Sequence, residues 1–276
     1  MENKKTVVIT GSTSGLGKEL TKLFAQNEEF FVFAGYRNID KIEQNSNNIE
    51  YFYMDLCDDK SIIEAANFIK SKADKVDILI NAAGAVVAGP VECLNVKKLR
   101  EQFQVNTFAH IEFTQQLMPI LDGARIVNIS SMSSFGHFPF ISPYCASKRS
   151  LDIFFNALAL ETHKNLEIVS VKPGVIATPI WEKSVKSNTE TLENNKEYEK
   201  ELEFLKNNAL KNTNKGLNVS DAAQKIKEIA TKKKVKPSYL LGKDSVVASI
   251  LSYLPQGILN KLVKHALSIK MSKYGK

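Results

Sequence analysis

The amino-acid sequence predicts an α/β fold, a doubly wound parallel sheet of about seven strands with helices on both faces. Short β-branched apolar runs alternate with helical patterns six times along the chain, which is typical of parallel strands joined by crossover helices. A glycine-rich turn follows the first apolar run. Because open α/β sheets bind ligands at the carboxyl ends of their strands, we expect one domain over residues 1–276 with its site at that edge.

The composition is that of a globular protein, with 43% hydrophobic and 24% charged residues, and the 276 residues are enough for a sizeable core. The net charge of +7 suits a nucleic acid, an anionic membrane or an anionic small ligand. The lysines are dispersed, with residues 232–234 as the one tight run, and no basic stripe is interleaved with aromatic residues. We therefore expect no nucleic-acid partner.

The cysteines and histidines predict neither disulfides nor a metal site. Cys57, Cys93 and Cys145 are unevenly spaced without a Cys-x-x-Cys pair, and the four histidines are scattered. This usage is typical of a reducing compartment and predicts a cytoplasmic protein. The apolar run near the N-terminus is too short for a signal peptide, and no stretch approaches the roughly 18 apolar residues of a membrane span.

The first strand is predicted at Val7–Thr10 and the first helix from Lys18 to about Gln26. The turn between them consists of Gly11, Ser12, Thr13, Ser14, Gly15, Leu16 and Gly17. Glycines let the backbone approach a pyrophosphate, and the helix N-terminus offers free N–H groups, so the arrangement predicts nucleotide binding. Its spacing, Gly-x-x-x-Gly-x-Gly, differs from the usual Gly-x-Gly-x-x-Gly, and a purely structural turn is the alternative.

The second strand, Phe30–Tyr36, is followed by Arg37, which lies 20 residues after Gly17. In a NAD site an acidic residue is expected near this distance, where it binds the ribose 2′-hydroxyl. A carboxylate would repel a 2′-phosphate, whereas a guanidinium can bind one. Arg37 therefore predicts that NADP(H) is preferred over NAD(H), unless its side chain only solvates a loop.

The third and fourth strands are predicted at Ile49–Met54 and Val76–Ile80. Asp55 follows the third strand and could accept a hydrogen bond from an adenine amino group or cap the helix over residues 58–72. Asn81-Ala82-Ala83-Gly84 follows the fourth strand, and its small residues would let a cofactor lie against the backbone.

A long helical stretch is predicted from Val96 to about Leu121 and contains Asn106. The fifth strand, Arg125–Ile129, ends in Ser130-Ser131. The next helix is expected to reach Thr162, with Ser142 as N-cap and Pro143 at its first position. The sixth strand, Leu166–Val171, is followed by Pro173-Gly174.

Tyr144 and Lys148 lie four positions apart, so they share one face of that helix. The helix dipole and the ammonium both favour phenolate, and we expect them to lower the pKa of Tyr144 from its usual value near ~10. Such a tyrosine could exchange a proton with a substrate oxygen near neutral pH. Tyr-x-x-x-Lys by itself is a weak pattern, and its weight depends on the motifs upstream.

The C-terminal third has a different character. Residues of about 181–218 are rich in Asn, Lys and Glu and predict a mobile, partly helical lid, or else a solvated surface excursion. A helix with a Ser-Asp cap is expected over Ser220–Lys233 and a seventh strand over Ser238–Leu241. Residues 245–272 are amphipathic and split by Pro255 into two helices, which could be core, a pocket wall, a subunit contact or a membrane surface.

Taken together, these motifs resemble the short-chain dehydrogenase/reductase family, in its compact branch with a Rossmann-type fold. The resemblance is close from about Lys5 to Thr178 and looser beyond. It rests on motifs that occur in the right order: Thr10-Gly11-Ser12-Thr13-Ser14-Gly15-Leu16-Gly17, Asp55-Leu56, Asn81-Ala82-Ala83-Gly84, Asn106, Ser131, Tyr144-x-x-x-Lys148, and Pro173-Gly174 followed by Thr178.

The resemblance implies a role for each matching residue. Tyr144 would be the general acid for reduction and the base for oxidation, and Lys148 would lower its pKa and bind the nicotinamide ribose. Ser131, at the family's spacing from Tyr144, would orient the substrate oxygen, and Asn106 would hold a water linking Lys148 to solvent. NADP(H) would be held by turn residues 11–17 together with Arg37, Asp55, Leu56, Asn81, Ala83, Tyr144, Lys148, Pro173, Ile176 and Thr178, of which Ile176 and Thr178 would meet the carboxamide.

One departure concerns Ala82, because the family usually has a second asparagine there that ties neighbouring strands together. The lid with Trp181 and the C-terminal helices are similar to those of family members that act on hydrophobic secondary alcohols and ketones, such as steroids, retinoids or other lipids. The resemblance also implies a homodimer or homotetramer, joined through the helices after Asn106 and Tyr144. The alternatives are a catalytically silent NADP-binding scaffold and, compatible with an enzyme, peripheral membrane contact through the C-terminal helices.

Overall fold

The structure is a computed structural model, which describes residues 4–42, 46–187 and 196–271. Its centre is a seven-stranded sheet in the order β3-β2-β1-β4-β5-β6-β7, and every neighbouring pair of strands is parallel. The strands are β1 (Lys5–Ile9), β2 (Phe30–Tyr36), β3 (Ile49–Tyr53), β4 (Ile78–Asn81), β5 (Arg125–Ile129), β6 (Glu167–Pro173) and β7 (Ser238–Leu241). The predicted fold class and strand count are confirmed.

The helices cover both faces of this sheet. They are α1 (Gly15–Ala25), α2 (Asp59–Lys72), α3 (Val96–Phe103), α4 (Ala109–Leu117), α5 (Ser142–Glu161), α6 (Ile180–Ser187), α7 (Glu199–Lys215), α8 (Val219–Thr231), α9 (Lys243–Leu251) and α10 (Gln256–Met271). Two core clusters lie on opposite faces, because successive strand residues point in opposite directions. Val7 joins the cluster under α1 and α8, whereas Val8 joins the one under α2, α4 and α5.

Three helix starts differ from the predictions. Helix α1 begins at Gly15 rather than Lys18, so the second half of the glycine turn is helical. Helix α5 begins at Ser142, and Ile141, not Ser142, is its N-cap. Helix α8 is capped by Asn218, whose side chain accepts from the Ser220 and Asp221 N–H groups, so the expected Ser-Asp pair receives the cap instead of supplying it.

The long helix predicted over residues 96–121 is interrupted. A π-helical segment, Gln104–Phe108, separates α3 from α4 and contains Asn106. A π turn inserts one residue into the helical ladder and is common at functional sites. The periodicity of the sequence carries no sign of it, because the apolar pattern continues on both sides.

The predicted lid contains helices α6 and α7, which pack against each other, while its residues 188–195 lie outside the described part of the chain. Pro255 separates α9 from α10 as predicted, and residue 272 of the extension again lies outside. None of the described residues of α9 and α10 joins either core cluster, and several apolar side chains there are exposed, including Ile250 and Tyr253. Within the described residues, no helix has the length and apolarity that a membrane crossing requires.

Candidate active site

A cleft of about 640 Å³ lies at the carboxyl ends of the strands, where the strand order reverses between β1 and β4. Most of the predicted site residues line it: Gly11, Thr13, Ser14, Gly15, Leu16, Gly17, Arg37, Asp55, Leu56, Ala83, Ser131, Tyr144, Lys148, Pro173, Ile176 and Thr178. The side chains of Ser12, Asn81 and Asn106 are buried in the surrounding protein instead. Most of the predicted site residues therefore line one cleft, although they come from segments far apart in the chain.

The glycine turn after β1 leaves backbone exposed to the cleft. Gly11 has a φ of +68°, and a Cβ on Gly17 would lie 2.3 Å from the Gly11 carbonyl oxygen, so neither position tolerates a side chain. Ser14 is the N-cap of α1, but its side chain makes no capping hydrogen bond. An anion can therefore approach the first N–H groups of α1, which is the arrangement that a dinucleotide pyrophosphate requires.

Ser12 fixes the turn to the neighbouring strand. Its hydroxyl donates to the Gly35 carbonyl at 2.8 Å, and its N–H donates to the same oxygen at 2.9 Å. Because Ser12 is 3% exposed and its side chain is used in this way, it holds the shape of the turn rather than offering its hydroxyl to the cleft.

The ends of β1, β4 and β5 are tied together although Ala82 replaces the family's asparagine. The Thr10 hydroxyl accepts from the N–H groups of Ala82 at 3.0 Å and Ala83 at 3.1 Å. The Asn81 amide donates to the Asn128 side chain on β5 at 2.8 Å. The strand ends are therefore tied without the family's second asparagine, and Asn81, predicted as a cofactor contact, serves as a cross-strand tie.

Asp55 was expected either to accept from an adenine or to cap the following helix. The N-cap of α2 is Asp58, whose carboxylate accepts from the Lys60 N–H at 3.0 Å. The Asp55 carboxylate accepts from the Cys57 N–H at 3.0 Å and lines the cleft. The helix-cap alternative is therefore wrong.

Tyr144 and Ser131 meet at the end of the cleft near β5 and α5. Tyr144 lies in the first turn of α5, is 8% exposed, and forms a hydrogen bond with Ser131. The Ser131 hydroxyl in turn accepts from the Ser133 N–H at 3.1 Å, which orients it. The two side chains therefore lie together at the end of the cleft where the resemblance implies a contact with the substrate oxygen.

The pKa of Tyr144 shifts opposite to the sequence-based expectation. Burial raises the pKa of the phenol to about 12, and the hydrogen bond to Ser131 lowers it by less. The Lys148 ammonium, which was expected to favour phenolate, donates to the Ile129 carbonyl at 2.8 Å. Tyr144 is thus protonated near neutral pH in this structure, which is the form that a general acid requires.

Lys148 is itself 3% exposed, and burial lowers the pKa of its ammonium to about 8, while the charge of Asp152 opposes this shift. Asp152 lies one turn further along α5, where Lys172 pairs with it at 2.7 Å and the Ser170 hydroxyl donates to it at 2.9 Å. No sequence pattern indicated Asp152 or Lys172, because the order of residues does not show that α5 and β6 share a buried ion pair.

Asn106 contacts the backbone beside Lys148. Its side chain exchanges hydrogen bonds with Ala85, accepting from the N–H at 2.8 Å and donating to the carbonyl at 2.9 Å. A methyl group on Gly84 would lie 3.4 Å from Asn106 Oδ1 and 3.5 Å from Lys148 Nζ, so the two side chains flank that glycine. The π-helical segment thus brings Asn106 next to Lys148 while its side-chain groups are already satisfied.

His110 is a buried residue of the site that the sequence did not indicate. It is 0% exposed, and its Nε2 lies 3.0 Å from the Ala83 carbonyl, so this nitrogen is the donor. Burial, with a smaller effect of the Lys148 charge, lowers the pKa of His110 to about 3. A neutral His110 therefore supports the backbone on which Ala83 faces the cleft.

The opposite end of the cleft is cationic. Arg37 follows β2, Lys41 lies on the short 3-10 turn Ile39–Lys41, and Lys183 reaches in from α6. Burial raises the pKa of the Cys57 thiol, Asp55 raises it further and Arg37 opposes the rise, so Arg37 lies within electrostatic reach of Cys57. The sequence shows Lys41 four residues after Arg37, whereas nothing in it indicates that Lys183 lies in the same cleft. Among the described residues, no group of three or more His, Cys, Asp or Glu side chains could hold a metal ion.

The sequence of this chain is similar to those of known proteins in one family. The family model for "short chain dehydrogenase" matches residues 5–189. The "Uncharacterized oxidoreductase YusZ" of Bacillus subtilis (strain 168) is 30% identical over 87% of this chain and 90% of its own. The "Probable short-chain type dehydrogenase/reductase VdlC" of Helicobacter pylori is 31% identical over 93% and 96%. The chain belongs to the short-chain dehydrogenase family and is an oxidoreductase of that family.

A further relative and two solved structures complete the comparison. The "NADPH-dependent 1-acyldihydroxyacetone phosphate reductase" of Saccharomyces cerevisiae is 30% identical over 65% of this chain and 64% of its own. A Burkholderia phymatum short-chain dehydrogenase/reductase in complex with NAD superposes with a TM-score of 0.77 at 18% identity, over 90% of this chain and 92% of its own. A Burkholderia cenocepacia enzyme in complex with NADP gives 0.73 at 19% identity, over 95% and 99%. At these identities the two structures show the shared fold.

Proposed function

We propose that this protein transfers hydride between NADP(H) and a hydrophobic secondary alcohol or ketone. The proposal rests mainly on one observation: a single cleft has Ser131, Tyr144 and Lys148 at one end and Arg37 at the other. The exposed turn backbone and the uncapped start of α1 between these ends fit a dinucleotide.

The protein's own residues supply positioning and a proton, and a bound nicotinamide would supply or accept the hydride. In reduction, Ser131 donates a hydrogen bond to the carbonyl oxygen and Tyr144 delivers its phenolic proton to that oxygen. Lys148 then stabilises the phenolate through its charge, and Asn106 is proposed to connect Lys148 to solvent through a water. In oxidation, the hydroxyl proton of the alcohol passes to Tyr144 instead.

The walls of the cleft favour an apolar substrate. Val86 and Val87 after β4 face the cleft together with Ile180 and Trp181 of α6, and the Trp181 indole N–H is already used by the Ile176 carbonyl at 3.1 Å. No described residue of α9 or α10 lines the cleft, so the expected pocket wall from the C-terminal helices is replaced by α6. The yeast relative is named as an NADPH-dependent 1-acyldihydroxyacetone phosphate reductase, and an acylated substrate supports the lipid-like class.

The preference for NADP(H) over NAD(H) rests on Arg37. The similar structures include one with NAD and one with NADP, so the fold alone does not decide the preference. No carboxylate follows β2 directly, where it would accept from a ribose 2′-hydroxyl, and Arg37 occupies that position. A guanidinium there favours the phosphorylated ribose.

The first test is a titration of the protein with NADPH and with NADH, followed by nicotinamide fluorescence. Tight NADPH and weak NADH binding is expected, and equal or reversed affinities would overturn the cofactor assignment. A panel of lipophilic ketones with NADPH then tests the reaction itself. NADPH binding without turnover on any member would favour the alternative, a catalytically silent NADP-binding scaffold.

We further propose a homodimer or homotetramer built through α4 and α5. Phe108, which immediately precedes α4, and Ile153, Phe154 and Leu160 of α5 are apolar and exposed. Such side chains in one region are typical of subunit interfaces. Light scattering on a sizing column should give a dimer or larger, and Phe154→Lys should reduce it, whereas Ile39→Lys, at another exposed apolar residue, should not.

A peripheral membrane contact of α9 and α10 stays a prediction. Val247, Ile250 and Tyr253 are exposed, and Lys261 and Lys264 follow on α10. Apolar residues beside lysines suit an anionic lipid surface. Flotation with anionic vesicles tests this, and loss of flotation in a Tyr253→Glu variant is the expected result. The cytoplasmic compartment is proposed from the cysteines, which are all free thiols.

A further inference from the structure

Lys183 joins the lid to the glycine turn. It lies on α6, and its Nζ donates to the Ser14 hydroxyl at 3.2 Å, across 169 positions of sequence. Ser14 is the residue whose side chain leaves the start of α1 uncapped, so Lys183 enters the cleft beside the phosphate-binding turn.

The surroundings of Lys183 are cationic. Partial burial and then the charges of Lys41 and Arg37 lower the pKa of its ammonium. Among the described residues, no carboxylate lies within the 4.0 Å of an ion pair from these three cations. Cations gathered from separate segments repel one another, and an anion between them would remove that repulsion.

The same helix carries a lysine in the opposite situation. Lys186, three residues on, pairs with Glu182 at 2.8 Å, and it does not line the cleft. The presence of an acidic partner for Lys186 shows that α6 can neutralise a lysine locally. Lys183 is directed to the glycine turn and the cations around it instead.

We propose that Lys183 is a specificity-determining residue that binds the 2′-phosphate of NADP(H) together with Arg37 and Lys41. The inference rests on the proposed function. A phosphate monoester carries close to two negative charges and several acceptor oxygens, enough for cations from three segments. The bound phosphate would bridge β2, the 3-10 turn and α6.

This contact would also couple cofactor identity to the lid. Helix α6 places Ile180, Trp181 and Ser184 on the cleft, and the Ser184 hydroxyl donates to the Val86 carbonyl at 3.0 Å on the opposite wall. A phosphate that holds Lys183 therefore holds the helix that borders the substrate end. NADPH would order α6 more than NADH does, although the two differ only at the remote ribose.

The test compares Lys183→Met with the matched control Lys186→Met. Circular dichroism checks that each variant is folded, and each is then titrated with NADPH and with NADH. Loss of one partly exposed charge-assisted contact is expected to weaken NADPH binding about fivefold to tenfold and NADH binding less than twofold. Lys186→Met should leave both affinities unchanged. Equal weakening of both cofactors would place Lys183 on the pyrophosphate and overturn the proposal, as would no weakening at all.

Arg37→Met separates this inference from the proposed function. A wild type without any NADPH preference would refute the cofactor assignment itself. If the wild type prefers NADPH and Arg37→Met loses the preference while Lys183→Met keeps it, only the role of Lys183 fails. As a second readout, hydrogen exchange of residues 180–187 should be slower with NADPH than with NADH, and this difference should vanish in Lys183→Met. A difference that persists in the variant would overturn the coupling to α6.

Discussion

At one end of the cleft Tyr144 and Lys148 are buried on a helix that packs against the sheet, while at the other end Arg37, Lys41 and Lys183 are exposed on separate segments. Burial shifts the pKa of Tyr144 to about 12 and that of Lys148 to about 8. At the cationic end, partial burial and the charges of Lys41 and Arg37 lower the pKa of Lys183. The proposed chemistry thus occupies the end that excludes water.

The difference follows from the cost of placing charge in a low dielectric. A buried charge loses its hydration and depends on a few fixed partners, so removal of one partner has a large effect. An exposed charge keeps its hydration and is screened by salt, so each contributes little and several are needed. We expect variants at the buried end to have large effects and variants at the cationic end to have small ones.

The largest effect is expected for Tyr144→Phe. Removal of the proton donor should lower turnover about 10³-fold, the usual contribution of general acid catalysis, while the dissociation constant for NADPH changes less than about twofold. Steady-state kinetics and fluorescence titration measure the two quantities. Turnover close to that of the wild type would refute the assigned role of Tyr144.

The next effect concerns the ion pair behind Lys148. Asp152→Asn leaves Lys172 buried without its partner and should lower the free energy of unfolding by about 3 kcal/mol, measured in urea. The matched control is Glu182→Gln, because its pair with Lys186 has side chains 50% and 74% exposed, against 2% and 8% for Asp152 and Lys172. The control should change stability by less than about 0.5 kcal/mol. Equal effects in the two variants would contradict the comparison.

The pH dependence of ketone reduction should follow Lys148. The charged ammonium stabilises the phenolate that forms when Tyr144 gives up its proton, and Lys148 has a pKa of about 8. The rate should therefore be level below pH 8 and fall by up to about tenfold per unit above it. In Lys148→Arg the side chain stays charged, so the fall near pH 8 should disappear even if the overall rate is lower. A decline at the same pH in the variant would assign it to another group.

The smallest effect is expected at Lys41. It is exposed on a short 3-10 turn, so Lys41→Met should weaken NADPH binding only about twofold and leave NADH binding unchanged. The loss should diminish further at high salt, because the contact is screened. If Lys41→Met weakened NADPH binding more than Arg37→Met does, Lys41 and not Arg37 would be the main contact of the 2′-phosphate.

The fold and the buried residues of the site were predictable because they depend on local patterns. Apolar runs specify the strands, and residues that follow parallel strands must meet at one edge of the sheet. This brought Ser131, Tyr144 and Lys148 together with the glycine turn. Strand ends moved by no more than two residues at either end, as for β4, predicted at Val76–Ile80 and found at Ile78–Asn81.

The sequence by itself thus determined the architecture, the family and most of the predicted residues that line the cleft, because backbone direction and side-chain periodicity are local properties. Only the tertiary structure decided the π-helical segment at Asn106, the raised pKa of Tyr144, and the approach of Lys183 to Ser14. Each of these depends on which distant groups share a space and how much water they exclude. Desolvation and long-range contact are properties of the packed chain.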